Sequence, residues 1–167
     1  MKNDDWFATV VDLMGGEEKG LAFFRELVAT NGLSVRRGNA LLTNLVVAGE
    51  VPLALTLYSY LPDQARRAGA PVQWIALPPT IAATDAVGIA AHAPHPHAAV
   101  LLYDFLLGEG QALLAEMHHV VSNRRVAPEL RRMNVRFIDP ATVIVDQDRW
   151  TRLYEDIING RAAPAPK

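Results

Sequence analysis

The stretch VPLALTLYSYLPDQ, residues 51–64, decides the predicted fold. Its first part, Val51–Tyr58, is a nearly continuous apolar run, which is typical of a strand that is buried on both faces. Pro62 then begins a new element, because proline fits the first turn of a helix. Asp63 beside it favours a helix over Pro62–Ala68, since an acidic side chain stabilises a helix N-terminus. The stretch therefore predicts a strand followed by a helix, the repeating unit of an α/β fold.

Strand and helix patterns alternate on both sides of this stretch. Further strands are predicted at Pro71–Leu77, at Asp85–His92 and, as a short one, at Asn134–Ile138. The other predicted helices are Trp6–Met14, Glu17–Asn31, a helix from Asn39 to Gly49, one beginning at Pro96, Gln111–His118, and one between the cap Asp146 and Gly160. The whole pattern predicts a helix-rich α/β fold with a thin sheet.

Several of the predicted helices carry apolar stripes, among them the helix that begins at Pro96 and the last helix, whose stripes we expect to be buried. Both stripes follow the spacing that places side chains on one face of a helix. The stripe of the helix that begins at Pro96 contains Ala98, Leu101, Leu102, Phe105 and Leu106. The stripe of the last helix contains Trp150, Leu153, Tyr154, Ile157 and Ile158.

The composition excludes several classes of protein. The chain has 167 residues, no cysteine and a formal net charge of -2. The absence of cysteine excludes disulfides and thiolate metal sites. The charge gives no reason to expect a nucleic acid or an anionic membrane surface as a partner. The N-terminal MKNDDWFATV has no apolar signal core, and no apolar run is long enough for a membrane helix. We therefore expect no membrane insertion, and a cytoplasmic location for the chain as written.

Motifs that carry catalysis are missing, so we do not expect an enzyme. The sequence has no Gly-x-Ser-x-Gly elbow, no phosphate-binding loop and no dinucleotide-binding glycine motif. Its histidines suggest a metal site only weakly, because metal ligands must converge. His95 and His97 flank a proline, and His118 and His119 point about 100° apart on a helix. The pattern favours histidines at the surface or at helix caps.

A candidate anion site lies at VRRGN, residues 35–39. Arg36 and Arg37 precede a turn at Gly38 and Asn39 that leads into a helix. Exposed N–H groups at a helix N-terminus, together with a nearby guanidinium, attract anions. The alternative is that the arginines are only solvated and Asn39 only caps the helix.

A second candidate site lies at Tyr58, Ser59 and Tyr60. On an extended chain the two tyrosines project to the same side and Ser59 to the other. They follow the predicted strand, and ligands bind at the carboxyl ends of strands in open α/β sheets. A phenol can stack on a solute, form a hydrogen bond or, as a phenolate, bind ferric iron. The alternative is that the two rings only pack over the next helix.

Three stretches taken together resemble a known family. They are LVVAGEVPLAL (45–55), GAPV (69–72) and APHPHAAVLLYDFLLGEGQ (93–111). In this order and spacing, within a likeness that runs from about Trp6 to about Ile158, they resemble bacterial extracellular solute-binding proteins of ABC importers. The similarity is to the ferric-iron-type members of the type II periplasmic binding fold.

This resemblance implies a particular portion of a two-lobed fold. Residues 1–77 would be part of the second lobe, and residues 78–160 would return to the first lobe. Residues 161–167 would be a disordered tail. The chain would then correspond to the C-terminal half of the family's protein, without the export signal and most of the first lobe.

The resemblance also implies ligands and partners. Tyr60 matches the second of two adjacent ferric-binding tyrosines, but Ser59 occupies the first position. Relatives bind polyamines, thiamine, phosphonates or phosphorylated sugars. We therefore expect iron on Tyr60, or a small organic or anionic solute on Tyr58, Ser59, Tyr60, Arg37, Gly38 and Asn39, with no other cofactor.

The partners would be the solute and, for the full-length periplasmic parent, an ABC permease. Alone, the fragment would bind solute weakly or not at all, because one wall of the cleft is missing. It would self-associate, because sheet edges and apolar helix faces would be exposed. The alternative is a cytoplasmic ligand-sensing or interaction module of the same fold. A small α/β hydrolase or transferase that uses His95 or His119 is disfavoured, because the sequence has no nucleophile motif.

Overall fold

A computed structural model describes residues 3–123, 125–126 and 134–160. Two three-residue strands, β1 (Thr80–Ala82) and β2 (Val135–Phe137), form a two-stranded sheet. The helices of the described residues are α1 (Asn3–Leu13), α2 (Glu17–Asn31), α3 (Asn39–Val47), α4 (Tyr60–Arg67), α5 (Pro96–Leu107), α6 (Gly110–Glu116), α7 (Pro140–Val145) and α8 (Gln147–Ile158). The prediction of a helix-rich α/β fold with a thin sheet is confirmed at this level.

The sheet is parallel and minimal. The backbone N–H of Thr80 donates to the carbonyl of Asn134 at 2.8 Å, and the N–H of Ile138 donates to the carbonyl of Ala82 at 2.9 Å. Both strands therefore run in the same direction. The short strand predicted at Asn134–Ile138 is confirmed as β2, whereas β1 was not predicted.

The other three predicted strands are wrong, since residues 51–58, 71–77 and 85–92 are all described and none of them is a strand. Within the first of these segments Thr56 has a positive φ of 62°. That conformation is strained for a β-branched residue and incompatible with an extended run. Apolar, β-prone sequence predicts only that a segment fits a sheet; a strand also needs a neighbour for its backbone hydrogen bonds.

The chain divides into two compact units. The first unit consists of Met1–Leu42, Ile81–Ala83 and Phe137–Lys167. The second consists of Thr43–Thr80 and Thr84–Arg136. The assignment of residues 1–77 and 78–160 to two lobes of a larger fold remains a prediction, and the predicted tail at 161–167 lies outside the described residues.

The first unit has a well-packed aromatic core. Phe7 and Val11 of α1 and Phe24 of α2 are fully buried, and the Phe7 and Phe24 ring centroids are 4.6 Å apart. Ile157 of α8 is buried in the same cluster. The rest of the predicted α8 stripe is partly buried against it: Trp150, Leu153, Tyr154 and Ile158. The prediction that this stripe packs on a core is confirmed.

Gly20 allows α1 and α2 to approach closely. A Cβ at this position would lie 2.5 Å from the Cα of Val11 and 2.7 Å from its carbonyl oxygen. Both atoms belong to the backbone, so they cannot move without moving α1. A side chain at residue 20 would therefore force the two helices apart.

Polar side chains of α8 contact α1 and the first residue of α2. The Thr151 hydroxyl donates to Oδ2 of Asp4 at 2.5 Å, and Arg149 forms an ion pair with Glu17. The hydrogen bond and the charge of Glu17 raise the pKa of Arg149 above its usual value. These contacts fix the orientation of α8, while its apolar stripe provides the buried area.

The predicted burial of the α5 stripe in the second unit is wrong. Leu101 is 73% exposed, and Leu102 and Phe105 are also exposed. The main helix packing of α5 in the described residues is against α6, where the buried Gln111 amide donates to the Leu106 carbonyl at 2.7 Å.

None of the described helices is by itself long and apolar enough to cross a membrane; α5 and α6 reach that length only as a pair bent by 52°.

Candidate functional site

The two tyrosines of the candidate site lie side by side in the second unit. Their ring centroids are 5.9 Å apart and the ring planes differ by 19°, which is a stacked arrangement. Both rings and Ser59 between them are half-buried. Neither ring belongs to the aromatic core of the first unit. Each tyrosine therefore keeps part of its surface exposed.

The backbone that holds these rings differs from the predicted one. No strand precedes them, and α4 begins at Tyr60, two residues before the predicted start at Pro62. The N–H groups of Leu61 and Asp63 donate to the carbonyls of Tyr58 and Ser59, which closes the first helical turn. Proline is tolerated at this third position because N–H groups in the first turn have no partner within the helix. The location at a strand end is therefore wrong, but the tyrosines are adjacent.

His119 is a third ring that the sequence interpretation missed. Its imidazole centroid is 4.6 Å from that of Tyr60, with the planes at 40°. The imidazole is half-buried, like the tyrosines. The contact joins residues far apart in the chain, so the local sequence around His119 gives no signal for it. The three rings of Tyr58, Tyr60 and His119 are called the ring cluster below.

The end of α6 positions His119. His118 has a positive φ of 66°, and its N–H donates to the Ala115 carbonyl at 2.9 Å. The N–H of His119 donates to the Leu114 carbonyl at 3.0 Å. This pair of bonds is the Schellman motif, which usually has glycine at the residue with positive φ. The sequence HH therefore ends the helix and turns the second histidine towards Tyr60.

Gln111 fixes the chain on the other side of His119. Its side-chain oxygen accepts the N–H of Ser122 at 3.2 Å and lies 3.4 Å from the N–H of Asn123. Its side-chain nitrogen donates to Leu106. The buried amide thus connects the end of α5 to the segment that follows His119.

A shallow cleft of about 400 Å³ lies along α4 in the same unit. Asp63 and Arg66 of α4 line it together with Gln73 and Trp74. The two charged side chains are 3.6 Å apart and form an ion pair across one helical turn. The cleft offers a charge of either sign and an aromatic side chain, but none of its residues was predicted to belong to a site.

The other predicted site residues belong to the first unit and are described separately. Gly38 has a positive φ of 95°, which only glycine adopts without strain, and its carbonyl accepts the N–H of Leu42 at 3.1 Å. Asn39 is the first residue of α3. The Arg37 side chain is exposed, and Arg36 donates to the Val35 carbonyl at 3.1 Å. The turn into a helix exists as predicted, and anion binding there remains a prediction.

A metal site built from the usual ligands is not formed by the described residues. In that part of the chain, no three His, Cys, Asp or Glu side chains lie close enough to share an ion. The observation does not concern phenolates, so iron binding on Tyr60 remains a prediction.

Comparison with known proteins adds no relative. No protein-family model, curated protein or solved structure matches this chain significantly.

Proposed function

We propose that this chain is a C-terminal portion of the solute-binding component of an ABC-type importer. The ring cluster would form one wall of its solute site, and an ABC permease would be the partner of the full-length periplasmic protein. The main observation in favour is the ring cluster itself: Tyr58 and Tyr60 stack, remain half-buried and contact His119. Tyr60 lies at the position of the second ligand tyrosine in the family resemblance, whereas Ser59 occupies the first.

The chemistry of the cluster suits a small solute with a flat or cationic group. Aromatic faces attract both planar rings and cations. The phenols and the imidazole add hydrogen bonds at the edges of the cluster. The charged cleft beside α4, with Asp63 and Arg66, offers a second type of contact within the same unit.

The exposed stripe of α5 supports the view that the chain is a portion of a larger fold. A helix that is apolar on most of its surface is normally buried in its native setting. With Leu102 and Phe105 exposed, the second unit has an apolar surface that a complete protein of this kind would cover. A half-open site should bind solute weakly, because one wall cannot enclose it.

Titration by NMR tests the proposal, because chemical shifts detect weak binding. The probes are ferric citrate, spermidine, thiamine and inorganic phosphate, each added to the full chain. We expect one probe to shift the signals of Tyr58, Tyr60 and His119 with a dissociation constant in the millimolar range. Ferric citrate, if it is the ligand, would also produce a visible tyrosinate-to-iron absorption band.

Tyr60→Phe and the matched variant Tyr103→Phe distinguish a site from a packed surface. Tyr103 is a half-buried tyrosine of α5 outside the ring cluster. We expect the Tyr60→Phe variant to bind the effective probe several-fold more weakly and the Tyr103→Phe variant to bind it normally. The proposal is wrong if none of the probes shifts the cluster, or if both variants bind like the unaltered chain.

A further inference from the structure

The outward face of α5 has an exposed apolar centre between two polar ends. Four residues define this face: His97, Val100, Leu101 and Asp104. At about 100° per residue they lie within a stripe about 100° wide. Val100 is 54% exposed and Leu101 is 73% exposed, and the side chains of His97 and Asp104 are exposed as well. An apolar centre is thus bounded by a hydrogen-bond donor at one end and a carboxylate at the other.

The two polar ends cannot satisfy each other within one chain. His97 and Asp104 are two helical turns apart, or about 10.5 Å along the axis. A second α5 running antiparallel, with a two-fold axis between residues 100 and 101, would change this. His97 of each copy would then face Asp104 of the other, and the apolar centres would meet between the two polar pairs. In a parallel arrangement each residue would face its own copy, placing Asp104 against Asp104.

We propose that this face of α5 docks onto the same face of a second copy of this chain, with the two helices antiparallel. The interface is isologous, because one surface serves both copies. The imidazole of His97 donates to the Asp104 carboxylate twice, once in each direction. The proposal rests on the exposed face of α5 alone, so it does not depend on the proposed solute-binding function.

The charges around α5 argue against a membrane surface as the occupant. Residues 68–123 contain no lysine or arginine, and their acidic side chains are Asp85, Asp104, Glu109 and Glu116. Helices that adsorb to anionic membranes carry basic residues on their polar face. The complementary ends of the α5 face instead match a second copy.

The interface would be small. A helix of 12 residues is about 18 Å long, so the helix pair belongs at the low end of interface sizes. We therefore expect a weak, concentration-dependent dimer. Sedimentation equilibrium of the full chain, from low to several hundred micromolar, should show monomer and dimer in exchange.

Two single variants test the position of the interface. Leu101→Glu places a charge at its centre and should weaken the dimer at least tenfold. Val145→Glu is the matched control, because Val145 is also exposed, at 81%, but lies on α7 in the first unit. Circular dichroism checks that both variants remain folded. A chain that stays monomeric throughout, or variants that weaken the dimer equally, would overturn the proposal.

A charge exchange tests the antiparallel register. His97→Asp alone should weaken the dimer, because it places two carboxylates opposite each other. Combining it with Asp104→Arg should restore the dimer, because each pair is again complementary. Failure of the double variant to recover would contradict the register. If the chain co-sediments with phosphatidylserine vesicles and Leu101→Glu abolishes this binding, the α5 face contacts a membrane and not a second copy, and the proposal is wrong.

Discussion

Helices α8 and α5 have the same length and each has a predicted apolar stripe, yet only the stripe of α8 is buried. Ile157 of α8 is 5% exposed, whereas Leu101 of α5 is 73% exposed. In the described residues α8 packs against α1, α2 and α7, while the main packing of α5 is against α6. An apolar stripe therefore predicts a surface that tends to be buried, but it does not predict which other surface buries it.

The largest expected difference is between Ile157→Ala and Leu101→Ala. Ile157→Ala removes buried atoms and leaves a cavity, so it should lower the free energy of unfolding by about 2–5 kcal/mol. Leu101→Ala, measured in dilute protein, should change it by less than about 0.5 kcal/mol. Urea unfolding followed by circular dichroism measures both values. Equal losses would mean that α5 is as buried as α8.

Gly20→Ala should have the next largest effect. The new methyl group would collide with the backbone of Val11, so we expect a loss of about 3 kcal/mol in the free energy of unfolding. Gly88→Ala is the control, because a Cβ at Gly88 has no atom within 4 Å. Urea unfolding followed by circular dichroism reports both units and therefore measures both variants. A stable Gly20→Ala variant would contradict the close packing of α1 on α2.

Thr151→Val should cost about 2 kcal/mol, because it leaves a buried carboxylate without its donor. Asp4 is 4% exposed, and its Oδ1 already lacks a hydrogen-bond partner among the described residues. The control is Thr9→Val, which removes a hydroxyl that donates to the backbone carbonyl of Asp5. We expect the control to lose less than about 0.5 kcal/mol. If urea unfolding shows equal losses of free energy in the two variants, the hydrogen bond between Thr151 and Asp4 stabilises the fold no more than the one between Thr9 and Asp5.

Arg149→Met should have the smallest effect. The ion pair with Glu17 is solvent-exposed, and exposed pairs contribute little to stability. Its thermal midpoint should match that of Arg152→Met, a control on the same helix, within experimental error.

The raised pKa of Arg149 means that its stabilisation is present below the usual arginine pKa and is lost only above it. The difference between the two variants should therefore stay flat from about pH 6 to pH 9; a dependence on pH in that range would contradict this reading.

Local patterns predicted most of the described helices because their signals are local, although α7 was not predicted. The spacing of Trp150, Leu153 and Ile157 fixed a buried face, and Gly160 marked the end of α8. The strands failed because pairing is not local: residues 51–58 have the composition of a strand, but Thr56 takes a positive φ and the segment pairs with no strand.

The candidate site also contains one contact between residues close in the sequence and one between residues far apart in it. Tyr58 and Tyr60 lie together as predicted, but the predicted reason is wrong, because Ser59 between them has a helical backbone and not an extended one. The contact of Tyr60 with His119 could not, because it depends on how α6 ends and on the hydrogen bonds of Gln111. Helix ends with a positive φ at a residue other than glycine give no clear sequence signal, and His118 is such a case.

Amide hydrogen exchange at two protein concentrations tests the contrast between α8 and α5 most directly. Exchange reports local opening, so each helix is measured separately in the intact chain. We predict slow exchange in α8 at both concentrations, and fast exchange in α5 that slows as the concentration rises and a second copy covers the helix. Protection of α5 that equals that of α8 in dilute protein, and that does not change with concentration, would contradict the account.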